Sequence, residues 1–494
     1  MSLTLPPLAL YVHLPWCVRK CPYCDFNSHE FRATSGRDGS DRDASGRAEP
    51  PFAAYIDALV ADLEYDLPLV WGRSVHSIFF GGGTPSLFPP EQIDRFLQAA
   101  NARLRIAPGC EITLETNPGT AEHGRFEDYR KAGVNRISFG VQSFDDGCLQ
   151  RLGRIHDSGQ AEAAIKLAQD AGFDNLNLDL MYALPEQTLA MAERDLERAL
   201  LLAPAHISHY QLTLEPNTLF AARPPAGIPD EDLAWDMQEA CQAMLDAAGY
   251  AQYEISAYAQ PGRQCAHNLN YWRFGDYLGI GAGAHGKLTL PAGRELLEVA
   301  DDAAEGAQSS ARVDDGRILR RSKTKHPAGY IAAAGGSAVI GEDRDIPLEH
   351  RPFEFMLNAL RLVEGFGMVQ FEARTGLSRD AIAVPLAEAH RRGWLIDQAE
   401  AGDPAGRIRP TDTGLRFAND IIGLFLENTF LESAPLESAP PESTPLENTL
   451  LERTPLKIMP IESMPSESIP PESMPPESAA SEKTSSEGKP LEPP

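Results

Sequence analysis

Three cysteines stand at C-x3-C-x2-C spacing in the run Tyr11-Val-His-Leu-Pro-Trp-Cys17-Val-Arg-Lys-Cys21-Pro-Tyr23-Cys24-Asp-Phe26. Thiolates this close ask for a soft metal: zinc, copper(I) or an iron–sulfur cluster. A four-iron cluster held by only three cysteines keeps one iron open to an outside ligand. Structural zinc usually takes two separated Cys/His pairs, and the chain holds no second C-x2-C or H-x3-H pair. Other polar signals follow at intervals: Gly81-Gly82-Gly83-Thr84-Pro85, Glu115-Thr-Asn117-Pro118, Gly140-Val-Gln142-Ser143 and Asn177-Leu-Asp179. Glycines let backbone approach a ligand closely, and the acids and amides offer hydrogen bonds.

These residues need a frame, and the hydrophobic pattern supplies one. Leu8 to His13 reads as a strand that breaks at Pro15 and delivers the cysteine loop. A helix carrying Tyr55, Ile56, Leu59, Leu63 and Leu67 follows. Strands are then predicted at Ser77–Phe80, Glu111–Glu115, Arg136–Val141, Asn175–Met181 and Ser208–Leu212. Helices between them are predicted at Glu91–Asn101, Phe126–Ala132, Gly159–Ala171 and Met191–Leu202. About six βα units of this kind make a parallel α/β sheet, a partial (β/α)6 TIM-type barrel. In such folds ligands gather at the carboxyl ends of the strands, and each polar signal falls at the end of a predicted strand.

The chain has 494 residues, 43% of them hydrophobic, enough for more than one domain. A net charge of -27 argues against nucleic acid as a partner, which needs a basic footprint. Seven cysteines form no disulfide framework and the N-terminus has no secretory pattern, so a reducing cytoplasm is expected. No apolar run is long enough to span a bilayer, so any membrane contact is expected to be peripheral. Residues 31–51 and 291–316 read as flexible insertions, the second acidic. Residues 1–290 are thus expected to form the α/β core. From 317 to 426 helical patterns and a short hairpin near Gly393-Trp394-Leu395-Ile396 suggest a winged-helix-like domain. Residues 427–494 repeat with a period of five, as in Leu431-Glu-Ser-Ala-Pro435, and hold thirteen Glu against four Lys or Arg. That period suits neither helix nor strand and prolines recur, so a disordered acidic tail is expected.

The cysteine loop with Tyr23 inside it, followed by Gly81–Pro85, resembles the radical S-adenosylmethionine superfamily. Over residues 8 to 425 the chain is similar to its branch of oxygen-independent coproporphyrinogen III oxidases and haem chaperones (HemN/HemW), and closer to the chaperone side. The resemblance implies a 4Fe-4S cluster on Cys17, Cys21 and Cys24, with S-adenosylmethionine on the open iron. It implies cofactor contacts from Tyr11, Tyr23, Gly82, Gly83, Thr84, Glu115, Gln142, Arg154 and Asp179, with Gln211 a weaker member. Where the oxidase pattern has a further cysteine this chain has Phe26, so coproporphyrinogen oxidation is not expected.

Cys265-Ala-His267-Asn268-Leu-Asn-Tyr271-Trp272 reproduces the H-N-x-x-Y-W motif of the chaperone side. Imidazole suits haem iron, and the aromatic rings suit a porphyrin face. Cys265 is a possible second contact. The implied function is haem binding and delivery to apo-haemoproteins, membrane respiratory enzymes among them. The alternatives are the oxidase itself, or a radical enzyme on an unrelated substrate in which His267 is structural.

Overall fold

The computed structural model describes residues 2–31, 50–120, 125–293, 295–297, 310–312, 316–400 and 403–431. The core elements alternate as the sequence pattern requires: β1 (Leu8–Leu14), α1 (Phe52–Val70), β2 (Ser74–Gly82), α2 (Pro90–Arg103), β3 (Arg105–Thr116), α3 (Arg125–Ala132), β4 (Arg136–Gln142), α4 (Ser158–Asp170), β5 (Leu176–Tyr182), α5 (Leu189–Leu201) and β6 (His206–Gln211). Strands β1 to β6 lie side by side in chain order and all run parallel.

Every residue of β1 is buried, as expected of a parallel strand covered on both faces. Alternation decides which way each points. Leu8, Leu10, Val12 and Leu14 join the main apolar core with Tyr55, Leu59 and Leu63 of α1. Ala9 and Tyr11 belong instead to small clusters on the inner face. Along β4 and β5 the same rule sends Ile137, Phe139, Leu176, Leu178 and Leu180 to the core. Their neighbours Arg136, Ser138, Gly140, Asn177 and Asp179 face an internal cavity.

The sheet continues beyond these six units. After α6 (Glu231–Ala247), β7 (Ala251–Glu254) and β8 (Ala257–Ala259) extend it past β6, antiparallel. After α7 (Ala266–Trp272), β9 (Asp276–Ile280) returns to pair parallel with β1, Leu8 opposite Asp276. Then β10 (His285–Leu290), β11 (Arg317–Lys323) and β12 (Ile340–Asp345) add antiparallel strands on that side. The order is β12-β11-β10-β9-β1-β2-β3-β4-β5-β6-β8-β7. Its two edges do not pair among the described residues, so the barrel is open.

Residues 317–345 belong to the main sheet, since β11 pairs with β10 in continuous register from His285↔Ser322 to Leu290↔Arg317. Within 291–316 the described ends pair as a short antiparallel ladder, Leu296 opposite Ala311, instead of staying irregular.

The C-terminal unit holds α8 (Arg351–Ala359), β13 (Phe366–Gly367), α9 (Met368–Thr375), α10 (Ala383–Arg391), β14 (Leu395–Glu400), β15 (Asp403–Pro410) and α11 (Ala418–Leu431). Its three short strands and helices have the winged-helix-like composition expected, around a core of Phe355, Phe366, Phe371 and Ile421 that Phe274, in the turn before β9, and Ile318 of β11 join. Helix α11 runs past the expected boundary at 426. The tail from 432 and the insertion over 32–49 lie outside the described residues. Among the described residues no helix is long and apolar enough to cross a membrane.

Candidate functional site

The cysteine loop is clamped from several sides. Past Pro15, Trp16 and Cys17 pair with His29 and Glu30 in a two-residue parallel ladder. The indole of Trp16 packs on Tyr55 and Phe88, ring centres 4.9 and 5.6 Å away, which fixes the loop's entry to the core. The Cys24 amide donates to the Cys21 carbonyl at 3.1 Å, closing a turn. Asn27 Nδ2 donates to the carbonyls of Ala282 at 2.9 Å and Lys325 at 2.8 Å, tying the loop's end to chain far away in sequence.

The three thiols face groups that favour their anions. Thr84 Oγ1 donates toward Cys17 Sγ at 3.5 Å, Arg154 Nη1 toward Cys21 Sγ at 3.4 Å, and Cys24 Sγ lies 3.7 Å from Ser28 Oγ. Burial opposes them: it pushes the Cys24 thiol up to about 11 and raises Cys17 as well. Cys17 and Cys24 therefore hold their protons near neutrality, and a metal must displace them. Among the described residues no three Cys, His, Asp or Glu groups close on one point as a single ion requires. Three thiols spread along a loop instead suit a cluster, in which each takes a separate iron.

Beside the loop, Gly82 has φ of +114°, and a Cβ there would lie 2.6 Å from the His13 ring. At Gly83 it would lie 2.6 Å from the Trp16 carbonyl oxygen. Both positions require glycine. The amides of this segment are already committed: Gly82 to Glu115 Oε2 at 3.2 Å, Gly83 to the Leu14 carbonyl at 2.8 Å and Thr84 to the Trp16 carbonyl at 2.8 Å. What Gly82 and Gly83 can still offer a ligand is chiefly carbonyl oxygen, suited to an amino group.

Arg154 bridges the loop and the sheet, with Nη2 on the Gly140 carbonyl at 2.6 Å and Nη1 3.5 Å from the Tyr23 hydroxyl. Gln142 ends β4 with φ of +71°, a strained conformation for a residue with a side chain, and accepts from the Tyr210 hydroxyl at 2.9 Å. Asp179 accepts from Asn177 Nδ2 at 2.7 Å, and burial raises its pKa. Tyr11 turns its hydroxyl to His13 Nδ1 at 3.0 Å, and His13 Nε2 meets the Asn27 carbonyl at 3.0 Å. Tyr11 thus steadies the loop through His13. Thr84, Glu115, Gln142, Arg154, Asp179 and Tyr23 all line one cavity of about 1650 Å³ together with the three cysteines and Phe26.

The far wall of the same cavity includes Asn268, Tyr271 and Trp272 of α7. This helix is held by a carboxylate: Glu111 accepts from the amides of Ala266 at 3.2 Å and His267 at 3.1 Å, and from Cys265 Sγ at 3.5 Å. A negative charge at a helix N-terminus meets the orphan amides and the positive end of the dipole. His267 is 1% exposed. Its Nδ1 is 2.9 Å from Ser77 Oγ, its Nε2 is 3.0 Å from the Tyr271 hydroxyl, and its ring stacks on Phe79 at 5.0 Å. Burial lowers its pKa to about 3, so the imidazole is neutral. Both ring nitrogens are engaged, and coordination of iron requires one of these bonds to open. Glu111, Ser77 and Arg136 were not expected as site residues. Each stands on a strand, and the period-2 alternation that turns it inward is the only cue.

A six-unit parallel core that presents a three-cysteine loop and a glycine turn at its strand ends defines a radical S-adenosylmethionine barrel. Residues 11–199 match the profile of the Radical SAM superfamily and residues 346–417 that of the HemN C-terminal domain. The chain is 47% identical over 422 residues to the heme chaperone HemW of Escherichia coli, covering 85% of this chain and 99% of that one. It is 29% identical over 420 residues to heme chaperone HemW of Bacillus subtilis, covering 84% and 98%. The solved coproporphyrinogen III oxidase HemN of Escherichia coli, described as a radical SAM enzyme, shares the fold at a TM-score of 0.63 and 21% identity, covering 85% of this chain and 90% of that one. The chain belongs to the HemW family.

Proposed function

We propose that this chain is a haem carrier: it binds haem and a 4Fe-4S cluster with exchangeable S-adenosylmethionine, and hands haem to apo-haemoproteins in the cytoplasm or at the membrane, respiratory enzymes among them. The observation that carries the reading is the single cavity joining the cysteine loop to α7. A pocket for one small ligand measures about 300–1,000 Å³, so this one has room for a cofactor and a cargo together.

Cys17, Cys21 and Cys24 would hold the cluster, which when bound supplies a redox-active iron with a position for the cofactor's amino and carboxylate groups. Thr84 and Arg154 stabilise thiolate charge through their contacts to Cys17 and Cys21. The carbonyls of Gly82 and Gly83 suit the cofactor's amino group, while Glu115, Gln142 and Asp179 offer acceptors for its hydroxyl and amino groups. Tyr23 gives a flat wall beside the loop, and Tyr11 positions that loop through His13. Asn268, Tyr271 and Trp272 would meet the porphyrin. His267 lies behind the cavity wall and would reach an iron only through displacement of the Tyr271 hydroxyl.

The test is direct. Purified, cluster-loaded protein is mixed with one equivalent of haem and then with an apo-cytochrome, and the Soret band is followed. Transfer of the band to the cytochrome is expected. Conversion of coproporphyrinogen III to protoporphyrinogen IX by the same preparation would overturn the carrier reading. Unchanged haem affinity and spectrum in His267→Ala would remove His267 from the binding site.

A further inference from the structure

Two buried arginines line this cavity with hydrogen-bonding capacity unused. Arg136, the first residue of β4, is 2% exposed; its Nε has no hydrogen-bond partner, and the carboxylates of Glu111 and Asp179 act on it through space. Arg361 follows α8 and is 3% exposed. Its Nη2 bonds Glu254 Oε2 at 3.2 Å, but Nε and Nη1 have no partner. Its guanidinium carbon stacks 4.2 Å from the centre of the Trp272 ring, whose Nε1 is also buried and unpartnered. All three residues line the cavity.

Arginine cannot shed its proton to escape burial, and a buried charge without a partner is costly. The acids nearby are occupied. Glu111 holds the start of α7, Asp179 accepts from Asn177, and Glu254 takes the Ser256 hydroxyl as well as Arg361. The cavity wall thus carries two cationic forks with donors to spare, beside a flat indole. Planar guanidinium groups pair best with carboxylates, two parallel bonds to two oxygens.

We propose that Arg136 and Arg361 are the carboxylate-binding groups of the cavity and take the two propionate carboxylates of the porphyrin, with Trp272 against its face. The inference rests on the haem reading above and names the groups that recognise the cargo's acidic edge.

The full chain is titrated with haem and with haem dimethyl ester, following tryptophan quenching and the Soret band. Wild type binds haem at least tenfold more tightly than the ester. Arg136→Gln and Arg361→Gln each weaken haem about ten- to a hundredfold, the range for a charged hydrogen bond, and leave ester binding unchanged. Arg361→Lys, which keeps the charge but loses the fork, falls between. Equal binding of haem and ester by wild type overturns this inference and leaves the haem reading standing. Binding of neither overturns both. Weakened S-adenosylmethionine binding with haem affinity intact would assign the arginines to the methionine carboxylate and overturn the proposal.

Discussion

Replacing Tyr271 with phenylalanine separates a ligating from a structural His267. The Tyr271 hydroxyl lies 3.0 Å from Nε2, and Ser77 occupies Nδ1 at 2.9 Å. Iron coordination through Nε2 must displace the tyrosine hydroxyl, and such a bond contributes about 0.5–1.5 kcal/mol net. Tyr271→Phe removes the competitor while keeping the ring, which meets Tyr277 edge-on at 4.3 Å. Haem affinity then rises about two- to twelvefold. The cargo-free protein meanwhile loses about 1–3 kcal/mol, because Nε2 is left buried without a partner. Anaerobic Soret titration reads the first effect and urea unfolding the second. If stability falls by that amount but affinity stays level or drops, His267 does not coordinate iron and serves to lock α7 onto β2.

Other consequences can be measured. Gly82→Ala must place a Cβ against the His13 ring at a φ of +114°; it should cost about 1–3 kcal/mol and lower iron retained after reconstitution, read by iron analysis. Lys323 is fully buried between Asp62 and Asp66, 2.7 Å from the latter. Lys323→Met leaves Asp62 without its cation, while Arg321 still pairs with Asp66, and should destabilise by about 3–5 kcal/mol, visible in the urea midpoint. Burial lowers His13, His156, His209 and His285 to about 4 and His267 to about 3. These rings are neutral in the fold but take protons in the unfolded chain near 6.5. Their contribution is therefore complete above about pH 6.5 and declines toward pH 4, by about 1.4 kcal/mol per pH unit for each. Asp195, pushed up to about 6 by burial, offsets part of this. Unfolding midpoints at pH 7 and pH 5 check it, and equal values would refute it.

How much of this could be read from the chain depends on how local the cause is. Strands β1, β2, β4, β5 and β6 sit close to their expected spans because their apolar face is continuous in sequence. For β3 the expected span begins at Glu111, but the strand begins at Arg105; Pro108 and Gly109 disguise its first half as a loop. The extension through β9 to β12 was not foreseen, since pairing Leu8 with Asp276 leaves no mark near either residue. The cysteine loop and glycine turn stood out because their chemistry is packed into a few neighbouring positions. The state of His267 could not, because Ser77, which occupies one of its nitrogens, lies 190 residues earlier. Arg136 looks in sequence like an ordinary charged residue at a strand start, and only its burial on the inner face of the sheet makes it unusual.

The clamp on the cysteine loop also sets an order of events during synthesis. Asn27, three residues past the last thiol, is tied to the carbonyl of Lys325, 298 residues later in the chain. At about 5–20 residues per second, the ribosome needs about 15–60 s to deliver that partner after the thiols have emerged. The three cysteines are thus among the first residues made, and the frame that shapes their loop is among the last. On the proposed cluster reading, loading is an event of the finished chain, and truncations ending before β11 should release protein that carries all three cysteines and retains no iron.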